Sequence, residues 1–566
     1  MDGMDGLKNK KGNRRYSAVC HFVSKTNEDE TAVDICGYTL ACIEHADVQH
    51  VGLSLTDMFE YCMKNNIRTI YLHDFNVEGD FVIQFLFNLG LELVTGQPSN
   101  GQFSVFKVQN KLYKITATFD RCCFKFLGSR NIIHSSVNDI ASAWCGIDIE
   151  LDDGIVQLKH NDILTQSIQL DCLRYCRVIA IALKQWRNNG YKKTTVGSEA
   201  LLQWMKSYPN WEDDFKNKIN YELDEKLRKA YRGGFTWIKP SYKNKVIGDG
   251  VVIDANAMYS TIMTKYELPY GEAFKDGDDE SDLYIIQVRL TAILKDNCIP
   301  CISPMDVMKY DDVSSFSKSE YLDNINNLVV WLTNYDVMLL EDNYEILEAD
   351  ILDVYYFKKK IGAFDAYLKF WYNQKINSSG SVRETSKLMY EALSGKFGTR
   401  TDNSVQVPEI DKLGVLSWST KKLDNNKNNF MYSPLIIFVT SIARFTIINL
   451  AKKYYDRLVY IDTDSIHLIG LDVPDDIVIG QELGQYKIEA KFIKAKYIGL
   501  KNYIHDEIMN DGTIKTVTKM AGAPAYVQKQ LNWSNFCSGT VVKGKPMTKQ
   551  LVGGTVRYYT DYTILM

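Results

Sequence analysis

The chain has 566 residues, 45% of them hydrophobic and 24% charged, with a formal net charge of −4. That length predicts several domains rather than one core, and the apolar and charged fractions are those of a globular protein. The near-neutral balance carries no global signature of a polyanion partner, and twelve scattered cysteines exclude a disulfide framework and suit a reducing compartment.

Asp2 to Arg15, with Lys8, Lys10, Lys11, Arg14 and Arg15, reads as a flexible basic tail, 1–15. It lacks an apolar signal core, and no window approaches 18 consecutive apolar residues. The expectation is a soluble, cytoplasmic protein without a membrane partner. Residues 16–190 alternate short apolar strands (IRTIYLHDF) with helical patterns (DFVIQFLFNLG), as an α/β domain should. In YRGGFTW, Gly233 and Gly234 allow close approach of a ligand to the backbone, or form a plain Gly-Gly turn.

The next segment, GVVIDANAMYSTIM, runs Val251, Val252 and Ile253 straight into Asp254. A buried strand that ends in a carboxylate is how a rigid sheet presents a metal ligand. Cys298 and Cys301 form the only C-x-x-C, with no second pair to complete a zinc site, and read as packed thiols. Lys358, Lys359 and Lys360, and later Lys487, Lys491, Lys494, Lys496 and Lys501, form local basic stripes suited to a phosphate-tracking channel or to a solvated face. Residues 363–398 read as helical, with Phe364, Tyr367, Leu368 and Trp371 apolar and Lys375, Arg383 and Lys387 basic. Arg383 and Lys387 lie one turn apart and can reach one polyphosphate.

The polar run 399–433, containing KKLDNNKNNF, reads as a hairpin, and SPLIIFVTSIARFTIINLAKKYY as a long helix. That helix leads to YIDTDSIHL, Tyr460 to Leu468. In a strand, Asp462 and Asp464 would project to one side and Thr463 to the other, which suits a pair of divalent cations. Asp-Thr-Asp-Ser is also good turn chemistry.

Taken together, the segments around Asp254 and Tyr259 and around Asp462 and Asp464, with YRGGFTW, LPYGE, KLMYEALSGKFGT and LKNYIHD in the same order, resemble family B DNA polymerases of the protein-primed branch found in bacteriophages and linear plasmids. The resemblance implies an α/β and α+β multidomain fold: an exonuclease-like (RNase H-like) domain, 16–190, then a right-hand polymerase. It implies a linker and first part of the palm, 191–265, a first insertion that contacts the terminal protein, 266–362, and fingers, 363–398. A second insertion for strand displacement and processivity, 399–433, palm, 434–510, and thumb, 511–566, complete the division.

By that resemblance Asp254, Asp462, Asp464 and Lys501 are catalytic, with Asp254 and Asp464 the ligands of two Mg²⁺ ions, or of Mn²⁺. Tyr259 is the aromatic that excludes a ribose 2′-hydroxyl, and Lys375, Arg383 and Lys387 bind the incoming triphosphate. Tyr231, Gly233, Gly234, Thr463 and Tyr503 contact DNA. The implied partners are template and primer DNA, dNTPs and a terminal priming protein, with the chain a monomer or paired with that protein.

The chain departs from the family at several points. His21 and Val23 stand where the first nuclease motif has Asp and Glu, Asp74 and Glu78 where the second has Asn and Asp, and His134 and Tyr175 at two further Asp positions, with Asp171 an alternative for the last. A valine holds no metal, so the expectation is an exonuclease-shaped domain without nuclease activity. Ser260 follows Tyr259 where Pro is usual. Glu391, Ala392, Leu393, Ser394 and Gly395 replace Asn-Ser-Leu-Tyr-Gly, which removes an aromatic and adds a charge near the triphosphate. Tyr390 offers an aromatic from a shifted register, although a neighbouring helical position points about 100° away.

The expected function is template-dependent addition of dNMP to a 3′-hydroxyl. A metal-dependent nuclease is the competing enzyme, disfavoured by the fingers lysines, and a degenerate DNA-binding scaffold the competing non-enzyme.

Overall fold

The computed structural model describes residues 15–45, 48–307, 321–399, 404–422 and 432–564. The basic tail, apart from Arg15, and most of KKLDNNKNNF lie outside the described residues.

The N-terminal domain is built on a nine-stranded mixed sheet. Its central strand, Tyr16–Thr26, is buried from Ser17 to Ser24, the near-continuous apolar pattern of a strand covered on both faces. It pairs antiparallel with Val33–Cys42 and parallel with Ile67–Leu72. The helix Phe75–Asn88 follows Ile67–Leu72, with Asp74 at its N-cap position. A long helix, Gln166–Asn188, is capped by Thr165, whose hydroxyl accepts from the Ile168 amide, and carries Tyr175 and Cys176 into the core.

The palm is an eight-stranded antiparallel sheet. Gly250–Ala255 lies between Ser465–Ile469 and Tyr486–Gly499, and Leu458–Asp462 links Ser465–Ile469 to Thr236–Ile238. Under it lies the helix Ser433–Lys453, long and apolar enough to cross a bilayer by length and composition. Its residues from Ser433 to Arg444 are buried within the protein, which is the burial that an all-round apolar core helix requires.

The stretch 363–398 is two helices, Asp365–Ile376 and Gly380–Phe397, separated by Asn377 to Ser379. Residues 404–422 form a two-stranded hairpin, Ser404–Ile410 with Leu416–Lys422, and a second hairpin, Val541–Leu551 with Gly554–Thr563, closes the described chain. Cys298 and Cys301 are free and buried.

The lysine stripes are less continuous than their spacing predicts. Lys359 pairs with Glu267 and Lys360 with Asp214, while Lys494 stands over the Trp533 ring and Lys496 donates to the Phe536 carbonyl. These cations brace the strands that carry them.

Within the apolar part of this helix stands a cation, Arg444, 4% exposed. Its guanidinium pairs with Asp336 at 2.8 Å and donates to the backbone oxygens of Arg232 and Gly233 at 3.1 and 3.3 Å. Arg232 pairs with Asp306 at 3.1 Å and approaches Asp336 at 3.6 Å. Burial pushes the Asp336 carboxyl up, yet Arg444 and Arg232 hold it below the usual carboxylate value. The network pins the Arg232–Gly234 backbone beside the palm hairpin. Arg444→Met is expected to cost about 3 to 5 kcal/mol, because it strips a buried carboxylate of its closest cation. Denaturant unfolding measures it.

Candidate active site

Asp462 is the last residue of its strand and pairs directly with Ser465, so Thr463 and Asp464 are the two residues of a tight β-hairpin turn. The expected strand alternation of Asp462 and Asp464 is therefore replaced by turn geometry. Thr463 takes φ +63°, a left-handed conformation that costs a β-branched residue most. Surrounding contacts impose it: the Thr463 amide donates to the Phe235 carbonyl at 2.7 Å, and the Ala255 amide donates to the Asp464 carbonyl at 2.8 Å. Gly234 packs on the Thr463 side chain so closely that a Cβ there would stand 2.5 Å from its methyl, which explains the second glycine of YRGG. Gly233 faces open space.

The second bond ties the turn to the strand that carries Asp254, and the two carboxylates line a common cleft. Burial and the neighbouring charge of Asp254 raise the Asp464 carboxyl to about 6. Two crowded, half-buried carboxylates make a site that a divalent cation would relieve. No cluster of three or more potential metal-ligating side chains occurs among the described residues.

The turn separates two cavities that share Asp254, Thr463 and Asp464. The first, about 280 Å³, is closed by Tyr259, Lys375, Tyr390, Glu391, Ser394 and Lys487. Tyr259 lies near Tyr231 and Asp464, and burial raises its hydroxyl. The Lys375 ammonium sits 5.2 Å from the Tyr390 ring centroid and 5.7 Å from that of Tyr372. Burial lowers Lys375, as do the charges of Lys387, Arg383 and Lys487, while Glu391 opposes the shift. Glu391 thus partly offsets this cationic group. Arg383 and Lys387 are exposed on the same helix and are not in the cavity wall.

Tyr390 precedes Ser394 by one helical turn, so both face the cleft, and an aromatic ring lines the wall from which the expected tyrosine is missing. The 100° offset expected for Tyr390 applies to its neighbour Glu391, not to Ser394.

The second cavity, about 510 Å³, is lined by Asp462, Glu489, Lys501, Tyr503, Lys519 and Gln528 besides the shared residues. Lys501 pairs with Asp462 at 2.5 Å, and Lys487 with Asp254 at 2.5 Å. The Lys501 amide donates to the Tyr460 hydroxyl at 2.8 Å, and Tyr503 packs against Tyr460 and Tyr497. Sequence patterns missed Glu489. It is the extra residue of a β-bulge, since Val252 pairs with Ala490 and Ile253 with Ile488, and a bulge re-aims a side chain. Its carboxyl is raised by burial and by Asp254.

In the N-terminal domain, the residues at the nuclease-motif positions also converge, without open metal ligands. His21 Nδ1 lies 2.9 Å from Glu78, and the imidazole stacks on Tyr175 with ring centroids 4.1 Å apart. Glu78 also accepts from the amides of Phe22 and Asp74. Although burial opposes it, hydrogen bonds with Cys172 and Glu78 and the Glu78 charge raise His21 to about 10, so an imidazolium neutralises the carboxylate. Val23 is buried and apolar, Asp74 pairs with Arg557, and Arg130 pairs with Asp153. Among the described residues no carboxylate bonds His134; its Nε2 meets the Asn131 carbonyl at 3.3 Å. Asp171, the alternative ligand, pairs with Arg174 on the exposed side of its helix.

Residues 148–478 match the family of type B DNA polymerases, organellar and viral. The chain is 30% identical to the DNA polymerase of Bacillus phage Nf, over 96% of this chain and 99% of that protein. It is 29% identical to the DNA polymerase of Bacillus phage phi29, over 96% and 98%. The fold is similar to that of phi29 DNA polymerase complexed with primer-template DNA, with a TM-score of 0.88 and 27% identity over 97% of this chain and all of that one. The ternary complex of the same polymerase with primer-template DNA and incoming nucleotide substrates matches with a TM-score of 0.86.

Proposed function

The chain belongs to the organellar and viral type B DNA polymerases and is a DNA-directed DNA polymerase; from that premise we propose that Asp254 and Asp464 hold two Mg²⁺ ions for dNMP transfer, that the first acceptor is a protein hydroxyl, and that nuclease activity has been lost. The observation that carries the site assignment is the shared wall: Asp254, Thr463 and Asp464 face a cationic cleft on one side and a Lys501–Tyr503 cavity on the other.

The dNTP fits the first cavity, where Lys375 binds phosphate and Arg383 and Lys387 add positive potential from the exposed helix face. Tyr259 stands at the sugar. The primer 3′ end fits the second cavity, with Lys501 and Tyr503 orienting it and Asp462 holding the Lys501 ammonium. Tyr231, Gly233 and Gly234 position the template strand beside the turn. When bound, Mg²⁺ ions lower the pKa of an attacking hydroxyl and neutralise charge on departing pyrophosphate. The scaffold and nuclease readings give way to the family assignment.

Protein priming rests on the ordered motifs and on the near full-length match to phage polymerases; the acceptor would be a Ser, Thr or Tyr hydroxyl of a terminal protein. Loss of excision is supported by the His21–Glu78 pair and by Val23, which leave little negative charge for two dications. Primer extension with Mg²⁺, run beside a labelled 3′-end degradation assay, tests both: extension with a stable 3′ end is expected. Failure to extend would sink the site assignment, and rapid Mg²⁺-dependent degradation would refute the loss of excision.

A further inference from the structure

The strand Tyr486–Gly499 sets a lysine against the metal-binding carboxylates, and nothing in the proposed chemistry gives it a task. Lys487 is paired in register with Asp254, and Ile488 with Ile253. The bulge at Glu489 follows at once, so one strand sends Lys487 into the first cavity and Glu489 into the second. The Lys487 ammonium lies 2.5 Å from Asp254, with 54% of the lysine side chain exposed and 14% of the aspartate's. Its charge also acts on Asp464 and, across the cavity, on Lys375 and Tyr372. It therefore stands between the two carboxylates and the lysine assigned to phosphate.

Lys501 holds Asp462 in the same manner, but from the primer-side cavity. The ion pair of Lys487 is half exposed, and such pairs are weak. Lysine carries a point charge on a flexible stem, so the ammonium can change partner without any rebuilding of the strand. A dication at Asp254 competes for the oxygen that Lys487 holds. Once displaced, the ammonium shares the cavity with Lys375, and the two cations repel. A polyphosphate is the anion that satisfies both together.

We propose that Lys487 is an internal counter-ion that exchanges partners: its ammonium neutralises Asp254 in the enzyme without nucleotide and turns to the triphosphate when a nucleotide arrives with its dication. The inference rests on the reading of Asp254 and Asp464 as metal ligands and of the first cavity as the nucleotide's. Its consequence is that the site resists a bare dication and favours one delivered with phosphate. Lys487 thereby both competes with the metal and helps to bind the substrate.

The test measures Mn²⁺ binding to the full chain, without DNA or nucleotide, from the free-ion electron paramagnetic resonance signal. Lys487→Met keeps most of the stem and removes the charge. It should bind Mn²⁺ about two- to fivefold more tightly than the unmutated chain, the range set by a partly exposed ion pair. Affinity for dATP, read from stabilisation of the complex with a dideoxy-ended primer-template in Mg²⁺, should fall about tenfold. Lys487→Arg should restore nucleotide affinity, while its forked grip on Asp254 keeps Mn²⁺ binding no tighter than in the parent. Opposite signs for metal and nucleotide in Lys487→Met are the signature, because a damaged fold weakens both and a bystander charge moves neither. Any other combination overturns the exchange. Asp254→Asn separates the two readings: Mn²⁺ binding that it leaves intact sinks the metal-site assignment itself. Binding lost with Asp254→Asn but unchanged in Lys487→Met sinks only the role of Lys487.

Discussion

Asp464→Asn is expected to abolish detectable primer extension, with a fall of at least about a thousandfold, or ~4 kcal/mol of lost transition-state stabilisation. Asn is nearly isosteric and keeps one oxygen, so the hairpin turn and the Ala255 amide bond to the Asp464 carbonyl should survive. What disappears is the charge that crowds against Asp254; burial and that neighbouring carboxylate are what raise the Asp464 carboxyl to about 6. Primer-template affinity, measured by titration without dNTP, should change little. The contrasting variant is Asp462→Asn: Asp462 is already paired with Lys501, and loss of such a supporting partner costs about 10- to 100-fold. Equal effects of the two substitutions would contradict the assignment of Asp464, rather than Asp462, as the ligand.

The second expected result concerns the eroded domain. His21→Phe keeps a ring against Tyr175 but leaves Glu78, 0% exposed, without its cation, and should destabilise the fold by about 3 to 5 kcal/mol at pH 6. The pH dependence has a definite sign. His21 titrates near 10 when folded and near 6.5 when unfolded, so its contribution is complete below pH 6.5 and is lost as pH rises toward 10. The gap between unmutated protein and variant should therefore narrow across that window in urea unfolding at several pH values. Adding Glu78→Met to His21→Phe should recover most of the loss, because two apolar groups replace an ion pair. A single variant as stable as the parent would show that the imidazolium does not carry the carboxylate.

The legible parts of the site are those set by local chemistry. An apolar run ending in Asp254 is legible as a buried strand, whereas Tyr460–Leu468 reads either as a strand that alternates Asp462 and Asp464 or as a turn of short polar residues, and the structure takes the turn. The left-handed Thr463 was not legible, because Gly or Asn is the usual signal for that conformation; here the Phe235 carbonyl and the Gly234 cradle impose it. Ala257 and Lys501, at φ +52° and +57°, escape sequence reading for the same reason. Glu489 depends on a one-residue bulge, and Arg557 on a partner 483 residues away in the chain, neither of which periodicity encodes. Arg444 carried a visible signal, a single cation amid apolar helix residues, although its partners Asp336, Arg232 and Gly233 come from remote segments.

The wall shared by the two cavities also makes the polymerase a linked binding system. On the proposed assignment of nucleotide to one cavity and primer end to the other, a ligand that relieves the repulsion between Asp254 and Asp464 from one side changes what the other side must overcome, so the two bindings are coupled. Thermodynamic reciprocity then requires the primer to alter nucleotide affinity by the same factor as the nucleotide alters primer affinity. On that assignment nucleotide capture weakens when no primer end fills the second cavity, and the two-residue turn carries the coupling.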